Sequence, residues 1–217
     1  MARTTKENAQ KTRTRIMASA LALFSRNGYE HTTFTDIAAR LKMTKGAVYW
    51  HFKSKTDLLL ALVDEMLEKF RRQTFSLLPD GALSFSDLSF PVVADMMVKN
   101  AVQITKDAKG TAFFLLLHEQ IRWADATMSE VRADLLRNKR FGPWAAFRTA
   151  VENDVKTGRA AKGADPIKVA SVCVAIWDGL VHAHIAKMLQ CDLEDTIRES
   201  YDSVWNTIRA DGARKTH

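Results

Sequence analysis

The sequence predicts an all-α protein: an N-terminal three-helix head, a long connecting helix, and a larger helical body. Three observations predict it. Apolar residues recur at helical spacing along most of the chain, and no segment alternates like a half-buried strand. Only 9 Gly and 4 Pro occur in 217 residues, and most of them separate periodic segments. Hydrophobic residues make up 47 %, enough for a sizeable core in a chain of this length.

The first helix is expected from about Glu7 to Asn27. Ile16, Ala20, Leu23 and Phe24 fall on one face, and Asn27-Gly28 ends it. The second opens near Thr33, where Asp36 three residues on has capping-box spacing. Ile37 and Leu41 face inward, and Ala38 and Ala39 let a neighbouring helix approach. Thr44 caps a short third helix over 45–50, with Val48 turned to the core. Ser54-Lys-Thr-Asp57 is a second capping box and starts a helix running to about Leu77. Leu58, Leu62, Met66 and Phe70 form its buried stripe. Pro79-Asp80-Gly81 breaks the chain. Helices are then expected over 87–107, 111–124, 127–157, 165–190 and 193–210, with Pro143 kinking or splitting the third. The expected domains are 1–55 for the head, 55–77 for the connecting helix and 78–217 for the body.

Two helices joined by a tight turn can place the second in a DNA major groove. The charge agrees. Residues 1–55 hold eleven Lys or Arg and three Asp or Glu, a net of +8, whereas 56–217 carry a net of −1. A basic end on a near-neutral body suits a polyanion, because neutralised phosphates release condensed counterions. Gly46 in a helix costs about 0.5–1 kcal/mol against Ala. Close approach of a DNA backbone or tight contact with another helix would each explain it.

The segment 33–55 resembles the TetR family of bacterial transcriptional regulators. Its matching features are Thr33, Asp36-Ile37-Ala38, Thr44-x-Gly46, Tyr49-x-His51-Phe52, and Lys55 followed by Leu58. The opening Met1-Ala-Arg-Thr-Thr-Lys and the Tyr-Trp-His-Phe string resemble its AcrR-like multidrug-efflux repressors. One departure is Leu41-Lys42, where the family usually has a small residue and Gly. Either Lys42 takes a left-handed backbone or the turn differs. The resemblance implies that Thr33, Tyr49, His51 and Lys55 hold phosphates of a double-stranded DNA operator. It also implies that Thr44 and Lys45, beside the bare backbone of Gly46, reach base edges. Donors at helix N-termini suit both tasks. Tyr49 could equally be a half-buried packing residue. Trp50 and Phe52 are expected in the core.

The resemblance further implies a homodimer formed through the last two long helices. Val169, Val172, Cys173, Ile176 and Leu180, with Ile197, Tyr201, Val204, Trp205 and Ile208, supply the apolar faces. It implies a ligand-released repressor, with a pocket for a small apolar, aromatic or cationic inducer. Most body aromatics are expected in the core. Polar residues among them are better pointers, because a buried carboxylate needs a partner. The candidate ligand-binding residues are Phe114, His118, Phe147, Trp177 and Asp178. Asp178 could instead be an interface or surface residue.

The alternatives are an architectural or activating DNA-binding protein without an inducer, and an enzyme. For the enzyme there is no Gly-rich phosphate loop, no His-Glu-x-x-His and no Cys cluster, so no catalytic residue, cofactor or metal site is expected. His182 and His184 are two apart and diverge on a helix. Two cysteines, Cys173 and Cys191, suggest no disulfide framework. The N-terminus is polar, and no unbroken apolar run reaches the roughly 18–20 residues of a membrane span. A cytoplasmic protein with no membrane partner is expected.

Overall fold

A computed structural model describes residues 2–75, 88–129, 131, 133 and 142–210. Nine α-helices occur among them: α1 (Ala2–Asn27), α2 (Phe34–Leu41), α3 (Lys45–His51), α4 (Lys55–Phe75), α5 (Phe90–Lys106), α6 (Ala108–Leu115), α7 (Pro143–Lys156), α8 (Pro166–Ile185) and α9 (Leu193–Ile208). The described residues contain no strand, only an isolated bridge between Ala160 and Arg209. The expected break at 79–81 lies outside them.

Local chemistry sets the boundaries in the head. Gly28 ends α1 with φ +89°, a left-handed conformation that Gly takes without steric penalty, and its N–H donates to the Phe24 carbonyl (3.0 Å). At α2 both halves of the capping box form. The Asp36 N–H donates to Thr33 Oγ1 (3.3 Å), and the Thr33 N–H donates to Asp36 Oδ2 (2.8 Å). Lys42 takes φ 55°, ψ 46°, the left-handed cap that the absent Gly would have supplied. The box at α4 is shifted. Ser54 Oγ accepts from the Asp57 N–H (3.0 Å), but the Asp57 carboxylate accepts from the N–H of Lys53 (2.9 Å).

The chain divides into two compact units. The first comprises Met1–Glu68 with Ala108–Leu136, and the second Lys69–Asp107 with Arg137–His217. Packing therefore groups 108–136 with the head, and the division falls inside α4. The functional division expected from the sequence, at 55 and 78, is a different one. In the first unit Ile16, Ala20, Phe24, Ile37, Val48 and Leu58 share one core with Phe113 and Leu116. In the second, α7 packs on α8, and α5 on α9.

Two expectations need correction, and a third is decided between its alternatives. The helix expected over 111–124 starts earlier and widens into a π-helical turn, Leu116–Gln120, where the Trp123 indole N–H donates to the Leu117 carbonyl (2.7 Å). At Pro143 the splitting alternative holds and not the kink: Pro143 begins α7, because the first helical position needs no N–H donor. The earlier part of that expected helix, 134–141, lies outside the described residues. Lastly, α8 is long and apolar enough, by length and composition alone, to cross a membrane. Lys168 and Asp178 interrupt it, so counting unbroken apolar runs missed it. It is also a packed element of the second unit: Val169, Ala170, Cys173, Trp177 and Val181 are buried, and the Trp177 indole donates to the Met97 carbonyl (3.1 Å).

Asp154 is a fully buried carboxylate in this unit. Its Oδ2 accepts the Phe90 N–H at the start of α5 (2.7 Å), and its Oδ1 accepts Arg159 Nε (2.6 Å). One carboxylate thus caps a helix 64 residues away and fixes the chain after α7.

Candidate nucleic-acid interface

Burial of Ile37, Ala38 and Val48 seats α3 against α2 and turns the N-terminus of α3 outward. Thr44, Lys45 and Gly46 are all exposed there. Thr44 Oγ1 accepts the Ala47 N–H (3.2 Å), leaving its own hydroxyl proton free to donate. A Cβ on Gly46 would meet only Thr44 Oγ1, at 3.8 Å. Contact with another helix therefore does not explain this glycine, and an open approach to its backbone remains. The Lys45 ammonium sits 5.7 Å from the centre of the Tyr49 ring. Tyr49 is 49 % exposed, with its ring edge-on to Phe34 (4.9 Å), so it packs and presents itself at once.

Trp50 is not in the core. It is 74 % exposed and stands edge-on to His51 (4.6 Å), whereas Phe52 is buried as expected. The signal was present: at about 100° per residue, a helix that buries Val48 turns position 50 to the opposite side. The His51 imidazole is held below its ordinary pKa by partial burial and then by the Arg13 charge. It is thus a neutral hydrogen-bonding group rather than a cation near neutral pH. Thr33 Oγ1 is engaged by Asp36, to which it donates (2.7 Å), and those bonds hold the Asp36 carboxyl below the usual range. Lys55 turns inward. Its ammonium donates to the carbonyls of Tyr29 (2.8 Å) and Glu30 (3.1 Å), lies 3.8 Å from the Glu30 carboxylate and 4.4 Å from the centre of the Tyr29 ring.

Residues 16–62 match the family model described as bacterial regulatory proteins, tetR family. Over 210 residues the chain is 27 % identical to the HTH-type transcriptional regulator TtgR of Pseudomonas putida, covering 96 % of this chain and 97 % of that one. The chain carries the DNA-binding segment of the tetR family. It is 26 % identical over 214 residues to the probable acrEF/envCD operon repressor of Escherichia coli, covering 97 % and 93 %. Its fold is that of SmeT in a triclosan complex, with a TM-score of 0.75, 23 % identity and coverage of 94 % and 95 %. SmeT is described as the repressor of the Stenotrophomonas maltophilia multidrug efflux pump SmeDEF. The chain is a DNA-binding transcriptional regulator, and its helix-turn-helix is α2–α3.

The candidate ligand residues divide between the two units. In the first, Phe114 is buried and stacks on the exposed His118 (3.9 Å between ring centres), whose Nδ1 lies 2.9 Å from the Phe114 carbonyl. In the second, Phe147 is a core residue against Phe90 (5.5 Å) and Tyr201 (5.1 Å), Trp177 is buried, and Asp178 is half-buried. Of the expected dimer faces, Val169, Cys173, Ile197, Tyr201 and Ile208 are buried within the chain. Ile167 and Val172 are exposed, and a groove of about 810 Å³ runs between the start of α8 and the end of α9, lined by Lys168, Val172, Val204 and Thr207. Burial pushes the Cys173 thiol up to about 12, so its reactive thiolate is scarce, whereas Cys191 is exposed. Among the described residues no group of three His, Cys, Asp or Glu is placed to hold a metal.

Proposed function

We propose that this protein is a cytoplasmic, ligand-released repressor of a drug-efflux or related operon, acting as a homodimer on a palindromic operator. The observation that carries it is likeness over nearly the whole chain, head and body together, to regulators that include an operon repressor. In this mechanism Thr44 and Lys45 reach base edges beside Gly46. Thr33, Tyr49 and His51 touch phosphates, and Lys55 acts by holding the α1–α2 loop. The uncovered apolar residues of α8 and α9 pair with a second copy, whose two-fold axis matches that of the operator. Footprinting should then show an inverted repeat, with protected half-sites about 34–36 Å apart or a multiple of that. A single asymmetric site would overturn the dimer.

Lys45 is expected to carry specificity. Lys45→Ala should change preference at one or two operator positions by roughly 1–3 kcal/mol if its contact is bidentate to guanine. Gel shifts on an operator-mutant series measure this, and an equal loss on every sequence would assign Lys45 to the backbone.

The inducer is an apolar, aromatic or cationic small molecule bound by the body, with Trp177 and Asp178 among its contacts. A coupling of about 1–3 kcal/mol would weaken DNA binding 5–150-fold, and operator DNA must weaken the ligand by the same factor. Five tryptophans provide the readout. Titrating dyes and antibiotics by Trp quenching, with and without operator, is expected to show this reciprocity. Equal affinity in both conditions would remove the inducer role. Asp178→Asn should mainly weaken cationic compounds.

A further inference from the structure

Taking a charge partly out of water costs free energy that a partner must offset, so a half-buried cation normally has an acid or carbonyls beside it. In the head, Lys55 has the carbonyls of Tyr29 and Glu30, and even the exposed Lys11 has Glu7 at 2.9 Å. Arg13 has neither. It is half-buried on α1, with its guanidinium 4.4 Å from the centre of the Phe52 ring. Its Nη1 donates to the thioether of Met17 (3.4 Å), a weak acceptor, and no oxygen among the described residues accepts from its other N–H groups.

What lies beside Arg13 is a second base. After partial burial, the Arg13 charge is what holds the His51 imidazole below its ordinary pKa, so the two groups are within Coulombic reach of each other. Trp50 stands edge-on to the same imidazole, 4.6 Å between ring centres. A guanidinium held over an aromatic ring loses little freedom when its fork of donors meets a phosphate. A cation and a base side by side, with no carboxylate among the described residues bonded to either, favour a shared anion.

We infer that Arg13 and His51 together seat one phosphate of the DNA backbone, the guanidinium supplying the charge and the imidazole a hydrogen bond. This rests on the phosphate role proposed above for His51, and it adds a contact from α1, outside the helix-turn-helix.

The probe is a duplex that the wild-type protein selects from a random-sequence pool, titrated across a salt series at about pH 8, above the ordinary pKa of histidine. Arg13→Gln is expected to weaken binding about tenfold or more, and to reduce the slope of log affinity against log salt by about 0.9 for each head on the DNA. His51→Ala should weaken binding with the slope unchanged, because a neutral imidazole displaces no counterion. The double variant should lose less than the product of the two single losses, because the two groups act on the same phosphate. If Arg13→Gln does not fold, Arg13→Met, which keeps an unbranched stem on Phe52, takes its place. An unchanged slope for the Arg13 variant overturns the inference whatever its affinity: Arg13 then only covers Phe52 and offsets the carbonyl end of α3, and a loss of affinity in His51→Ala keeps the His51 reading standing. Losses that multiply in the double variant also overturn the shared seat, because the two groups then act on separate phosphates. Full affinity for His51→Ala overturns the His51 reading and the shared seat with it.

Discussion

Asp154→Ala is expected to cost about 3–5 kcal/mol of stability, a severe loss for a single truncation. Two charge-assisted hydrogen bonds disappear, and each contributes about 1.5–3 kcal/mol. The Phe90 N–H is a helix N-terminal donor with no intrahelical partner, so without Asp154 it is left buried and unpaired. Arg159 is the lesser part. Its side chain is half-exposed, and water takes over its hydrogen bond. Asp154→Asn has one acceptor oxygen for two donors: with that oxygen on the Phe90 N–H, its NH2 faces Arg159, and about 1–3 kcal/mol should be lost. Denaturant melts at one fixed protein concentration measure both, since the stability of the proposed dimer depends on concentration. A loss under about 1 kcal/mol for Asp154→Ala would mean that the carboxylate is dispensable to the fold.

Nothing around Asp154 announces this role. Glu152-Asn-Asp-Val-Lys156 reads as the solvated side of a helix, and the partner that buries Asp154 is 64 residues away. The head is the opposite case. Its capping boxes, Gly28 and the inward Val48 are decided within about four residues of sequence, and they form nearly as read. Lys42 shows how far local rules go: the turn demanded a left-handed residue, and a lysine supplies it. Trp50 was legible but misjudged, since size suggested burial where helical phase required exposure. In the body, apolar spacing located the helices but could not tell a core aromatic such as Phe147 from a ligand contact, because both present the same pattern. Lys55 lies between these cases. Its cationic character was plain, but its acceptors sit 25 and 26 residues upstream.

Lys55→Ala is expected to weaken operator binding about tenfold without changing the salt dependence. Wild-type binding should fall about 10³–10⁵-fold between 50 and 200 mM salt if the proposed dimer neutralises 6–10 phosphates. Each phosphate contact contributes about −0.9 to the slope of log affinity against log salt. A lysine that held one phosphate in each half-site would therefore reduce the slope by about 1.8 when removed. The ammonium of Lys55 has three protons. It already donates to two carbonyls, with the Glu30 carboxylate and the Tyr29 ring completing its surroundings. Leaving those acceptors for a phosphate would exchange one set of charge-assisted bonds for another, with little gain. What the clamp does is hold the loop that leads into Thr33, the N-cap of α2, and so set the entry to the helix-turn-helix. Its loss loosens the head before binding, and the operator must then reorder it. Affinity is to be read well below the melting temperature of the variant, across a salt series on one operator. A slope unchanged within about 0.5 with a clear loss of affinity supports the clamp. A slope reduced by about 1.8 would place Lys55 on the DNA backbone. Full affinity with the same slope would leave it a role in stability alone.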